Sequence, residues 1–209
     1  MDKIELINML ILRSKFSPDL GLFAGKTGIA LTFFELFKKY HNRIFEELGF
    51  ELIENIFEEL SNKYCYDISF GYGLTGIGWG IEYLINQGDI DKSGIDICSD
   101  IDNRVYEYDP RRISDFTIET GLEGLLHYIV IRFYSIDYLY KKDLYQKIIS
   151  SKEKNLISND GIYKVFLDYY ETNNINHIPD IYEFVENNLK DNELGIKNGI
   201  SASILNSLI

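Results

Sequence analysis

Two helical patterns alternate along this chain. Residues 27–37, Thr-Gly-Ile-Ala-Leu-Thr-Phe-Phe-Glu-Leu-Phe, are apolar on nearly every side, and a helix of that kind is surrounded by protein. The next segment, 43–63, places Phe45, Leu48, Leu52, Ile53, Ile56, Phe57 and Leu60 on one helical face and Glu46, Glu47, Glu51, Glu54, Glu58 and Glu59 on the rest. That one-sided pattern predicts a helix of an outer layer. The alternation then recurs. Residues 73–84 predict a second inner helix, ended by the turn residues Gly88-Asp89. A weaker outer helix follows over 95–105 and stops before Pro110. Residues 121–133 predict a third inner helix and 199–208 a fourth, with outer or connecting helices over 139–149, 161–170 and 178–189. A short amphipathic helix opens the chain at 4–12.

Each inner helix begins at a glycine motif, in segments 21–30, 69–80, 117–126 and 195–204. The first glycines are Gly25, Gly73, Gly121 and Gly199, with Gly28, Gly76 and Gly124 three residues on, so the first two intervals are 48 residues and the last 78. Like motifs at equal spacing mark repeated units, and 48 residues hold two helices and two short loops. The fold predicted is all-α: one domain over 1–209, a two-layer α/α array with about four inner helices. The glycines are expected to allow positive φ in the approach loops and to leave a smooth face for helix packing. Gly25-Lys26-Thr27 imitates the end of a phosphate-binding loop, but Leu20 stands where that motif needs its first glycine and no strand precedes it.

Composition narrows the function. A net charge of -12 opposes nucleic acid and anionic membrane surfaces. Cys65 and Cys98 form neither a C-x-x-C pair nor a cluster with histidine, which argues against a disulfide framework or a zinc knuckle. With no signal-peptide pattern at the N-terminus and no apolar run of membrane-spanning length, a soluble cytoplasmic protein is expected.

The segments GLFAGKTGIALTFFEL, GYGLTGIGWGIEYLINQG and LGIKNGISASIL resemble the repeated glycine segments of the lanthionine synthetase C-like family. The resemblance implies an α/α toroid, of which four repeats are recognisable here against seven in the family, so an incomplete toroid is expected. It also implies a zinc ion that activates a cysteine thiol for addition to a dehydrated residue of a precursor peptide. In the family that ion is held by two cysteines and a histidine just before the first glycine of W-C-x-G and C-H-G repeats. The matching positions here are Phe23-Ala24, Gly71-Tyr72, Glu119-Thr120 and Lys197-Asn198. Cys65, Cys98, His41, His127 and His177 all fall elsewhere, so no metal, cofactor or catalytic residue is expected.

Tyr72, Trp79, Glu119, Glu123 and His127 are the candidate groove residues. For Trp79 and His127 core packing is the plainer reading, and for the two glutamates a place at a helix N-terminus. The reading that follows is a non-catalytic scaffold for a peptide or protein, linked to lanthionine-type biosynthesis. The alternatives are one part of a split cyclase whose zinc site is on another chain, and a carboxylate-dependent glycosidase on an α/α toroid. The last inner helix has no outer helix after it. Its open flank is expected to meet a second copy or a partner, unless the N-terminal helix folds back over it.

Overall fold

The computed structural model describes residues 2–62, 67–91, 97–133, 143–144, 146–150, 161–172, 178–185 and 193–209. Among them there is no strand. The helices are α1 (Lys3–Ser14), α2 (Lys26–Tyr40), α3 (Arg43–Asn62), α4 (Leu74–Gln87), α5 (Ile97–Glu107), α6 (Leu122–Arg132), α7 (Ile162–Thr172) and α8 (Ile200–Asn206). Among the described residues no helix is long and apolar enough to cross a membrane.

Inner helices α2, α4, α6 and α8 are buried around most of their circumference, α2 through Ile29, Ala30, Leu31, Phe33, Phe34 and Leu36. The amphipathic α3 lies on α2 and buries only Phe45, Gly49, Leu52, Ile53 and Ile56. Likewise α5 lies on α4, and α7 on α6. Side by side, α8 packs on α2, α2 on α4, and α4 on α6.

The flank of α8 expected to be open is covered. Helix α1 packs on both α8 and α2, burying Leu6 and Leu10, and Lys3 Nζ donates to the Ser207 carbonyl at 3.1 Å. The N-terminal helix is thus the outer partner of the last inner helix. Asp2 starts it with a capping box, its carboxylate accepting from Glu5 N at 2.8 Å while Glu5 accepts from Asp2 N; this fixes the helix start.

The helix expected over 178–189 is not formed in its described part. Residues 178–180 are non-helical and Ile181–Phe184 make a single 3₁₀ turn, opened by an Asp180–Glu183 capping box. Pro179 keeps the chain before it out of helix, and Phe184 turns inward. Of the helix expected over 139–149, residues 143–144 and 146–149 are helical; residues 139–142, 145 and 186–189, Cys65 and His177 lie outside the described residues.

Two buried polar clusters tie the layers. Arg132 on α6 donates to Glu82 on α4 at 2.8 Å and to Asp102 on α5 at 2.5 Å, and Tyr128 donates to Asp102 at 2.6 Å. Burial alone would lower the guanidinium pKa, but the Asp102 hydrogen bond overrides it and holds Arg132 charged. At the start of α2, buried Lys26 donates to Asn55 and, at 2.6 Å, to Glu59 of α3.

Candidate functional site

The four glycine segments adopt one loop. Gly25, Gly73, Gly121 and Gly199 cap their helices with φ between -118° and -97°. Positive φ is therefore not why glycine stands there. The reason is space. A Cβ on Gly25, Gly73, Gly121 or Gly199 would lie 2.3–2.7 Å from the backbone carbonyl oxygen six residues earlier. On Gly28, Gly76 or Gly124 it would lie 1.7–2.2 Å from such a carbonyl. In the fourth unit Ala202 takes the second place and donates to Gly195 O at 3.3 Å.

The carbonyls in question belong to Asp19, Asp67, Asp115 and Glu193, which accept from the first helical N–H of α2, α4, α6 and α8 at 2.8–3.0 Å. Their recurrence as acidic residues six positions before each first glycine was legible by aligning the four segments. Two of the carboxylates also hold their own loops: Asp67 accepts from Ser69 N at 2.8 Å and Asp115 from Thr117 N at 2.9 Å.

The loops bond to one another in the order third, second, first, fourth. Gly71 N donates to Glu119 O at 2.8 Å, Phe23 N to Gly71 O at 2.8 Å, and Lys197 N to Phe23 O at 3.3 Å. The Lys197 ammonium then reaches the Glu119 carboxylate, which closes a ring of four loops. The same ammonium stands 5.5 Å from the centre of the Phe23 ring, a cation–π distance.

Beneath this ring lies an aromatic box. Phe184, from the 3₁₀ turn, has its ring centre 6.1 Å from Phe23, 5.4 Å from Phe70, 4.9 Å from Trp79 and 5.1 Å from His127. It meets Phe70, Trp79 and His127 edge to face, the favoured aromatic geometry. Trp79 also stacks on Tyr83 at 5.1 Å. Among the described residues Trp79 Nε1 and His127 Nδ1, both buried, have no hydrogen-bond partner. Burial lowers the His127 pKa to about 3, so the imidazole is neutral. Deeper along the helices, Tyr83 donates to Asp180 and Tyr182 to Glu35, each at 3.0 Å. Burial, reinforced by these carboxylates, raises both phenol pKa values.

Of the expected groove residues, Trp79 and His127 meet in the box. Glu119 is engaged by Lys197 at the ring. Tyr72 is half exposed beside it, and Glu123 faces solvent on the first turn of α6. Phe184, Lys197 and the acidic residues before the glycines are additions from the structure. Phe184 was hidden because its segment has helical spacing in sequence. Where the first loop meets the fourth, an open cleft of about 320 Å³ is lined by Phe16, Asp19, Ala24 and Glu193 among others.

Four α/α units whose glycine loops, one at the head of each inner helix, join in a ring define a class, and comparison places the chain within it. The family model described as lanthionine synthetase C-like protein matches residues 17–206, and the chain belongs to that family. Among solved structures it is similar to nisin cyclase, with a TM-score of 0.55 and 21% identity, over 70% of this chain and 38% of that one; this likeness shows the fold. The match thus spans well under half the length of nisin cyclase. No curated protein matches the chain.

The zinc that the family resemblance implies does not fit these residues. The eight positions before the first glycines offer no thiol and no imidazole, and their one carboxylate, Glu119, is paired with Lys197. A zinc site draws its ligands from cysteine, histidine and carboxylate side chains. Among the described residues no group of three or more His, Cys, Asp or Glu side chains is placed to hold a metal. Cys98 is buried on α5, where its thiol donates to the Gly78 carbonyl at 3.9 Å.

Proposed function

We propose that this chain is a non-catalytic member of its family, a cytoplasmic scaffold that binds a peptide and serves lanthionine-type peptide modification. The observation that carries this reading is the Glu119–Lys197 ion pair at the positions where the family's cyclases set their metal ligands. An ammonium there repels a cation and leaves no group to activate a thiol. What is retained is the scaffold: four loops locked by backbone hydrogen bonds, and an aromatic interior of the kind that anchors peptide side chains. Isothermal titration with zinc tests it. No stoichiometric heat is expected; a single site of sub-micromolar affinity overturns the reading.

A second reading is favoured by the span of the match, 38% of nisin cyclase. Here the chain is one part of a split cyclase, completed by another polypeptide carrying the W-C-x-G and C-H-G repeats. Co-expression with a chain of that kind encoded nearby, followed by thiol titration of a dehydrated precursor peptide, separates the two. Loss of thiol only in the presence of both chains supports the split enzyme.

A further inference from the structure

We propose that the box of Phe23, Phe70, Trp79 and His127 is a binding site for the aromatic side chain of a short acidic peptide, and that residues 180–184 of this chain fill it in cis. The inference rests on the peptide-binding reading above and specifies its ligand.

The turn that fills the box has the form of a docked peptide. Its described backbone-to-backbone hydrogen bonds stay within it, Glu183 N to Asp180 O and Val185 N to Tyr182 O, while its Ile181 N–H meets the Tyr83 hydroxyl. It is held to the helices by side chains: Tyr83 on Asp180, and Tyr182 on Glu35. Two apolar anchors three residues apart, Ile181 and Phe184, are buried, while Asp180 and Glu183 between and before them are exposed. Anchors at i and i+3 in an apolar groove are a recurring mode of peptide recognition. The acidic character of the ligand is read from the occupant itself, whose Asp180 accepts from Tyr83.

The box is also left incomplete by its occupant. Trp79 Nε1 and His127 Nδ1 are buried without partners among the described residues, on two rings that touch Phe184. Most buried side-chain polar atoms in folded proteins find a partner. A hydrocarbon ring offers neither donor nor acceptor. A ligand that brings a carbonyl or hydroxyl in with its ring supplies what Phe184 lacks.

Trp79 is the single tryptophan and reports directly on the box. The probe is the acetylated, amidated octapeptide of residues 178–185, titrated into the full chain and into its Phe184→Ala variant. The variant is expected to show a saturable change in Trp79 emission, with binding tighter than wild type by about tenfold or more, because the cis occupant taxes the free site. The same peptide with alanine at the position of Phe184 is expected not to bind. A folded variant with no saturable change overturns the proposal, as does equal binding of both peptides or equal affinity in wild type and variant. Where Phe184→Ala does not fold, the Asp180→Asn, Tyr182→Phe double variant replaces it. It loosens the turn while keeping Phe184, and peptide binding no stronger than wild type then overturns the proposal. Zinc titration reads the non-catalytic assignment separately: failure of the peptide alone refutes the cis-filled box, whereas a tight zinc site refutes the broader reading.

Discussion

Lys197 and Glu119, 78 residues apart in sequence, join the fourth glycine loop to the third by their side chains. The other three joints of the ring are backbone hydrogen bonds. The side-chain joint is therefore the one that substitution can open without touching the main chain. Both side chains are mostly buried, at 19% and 26% exposure. A double-mutant cycle with Lys197→Met and Glu119→Gln, read by urea unfolding, is expected to give a coupling of about 1 kcal/mol, above the lower range for exposed pairs. A coupling of zero means that the pair is incidental to closure.

Gly76 and Gly88 make opposite demands. A Cβ on Gly76 would stand 1.7 Å from the Phe70 carbonyl, whereas one on Gly88 has nothing within 4 Å and meets only its φ of +78°. Gly76→Ala is expected to cost about 3 kcal/mol or more, since the obstacle is backbone. Gly88→Ala is expected to cost about 1 kcal/mol for the left-handed conformation. Parallel thermal melts of the two variants compare them directly, and equal losses contradict the packing argument.

Arg132 serves two buried carboxylates, Glu82 and Asp102. Arg132→Met removes the cation that both carboxylates face and is expected to destabilise by about 3–5 kcal/mol. Adding Glu82→Gln and Asp102→Asn is expected to restore part of that loss, because the stranded charges are gone. Chemical denaturation of the single and triple variants measures both effects; no recovery in the triple variant means that shape, not charge, dominates.

His127 sets a pH dependence. Burial holds its folded pKa at about 3 against an ordinary value of 6.5. Between those values the unfolded chain takes up a proton that the folded one refuses, so stability falls as pH drops below 6.5. The contribution is at most about 1.4 kcal/mol per pH unit. His127→Gln is expected to lose less stability than wild type between pH 7 and pH 5 in urea melts. Identical slopes would show that the imidazole titrates freely.

The helical layers were legible because burial writes itself into spacing. The all-round apolar run of α2 and the one-sided stripe of α3 have only one arrangement that hides both, α3 outside α2. The glycine loops were legible for a related reason: a carbonyl pressed against Cα admits no side chain at Gly28, Gly76 and Gly124. The conformational motive first assigned to the glycines was wrong, since spacing in sequence does not distinguish a need for positive φ from a need for room. The box was harder. Trp79 and His127 stood out as residue types, but Phe184 sat in a segment that reads as helix. Only the tertiary contact that draws it inward decides against that helix. The closing pair was out of reach for another reason: the order of the loops in space, which brings Lys197 to Glu119, follows from ring closure and not from local pattern.

Because α1 is the outer partner of α8, the first and last helices of the chain are one structural unit. Linear repeat arrays gain order one neighbour at a time and fray from their ends. Here α1 covers α8, and the contacts that fasten the fourth unit join residues far apart in sequence, Lys3 with Ser207 and Lys39 with Leu208. High contact order makes folding slow and late. Helix α1 is therefore made long before the helix it packs on, and the fourth unit forms only once α8 has been synthesised.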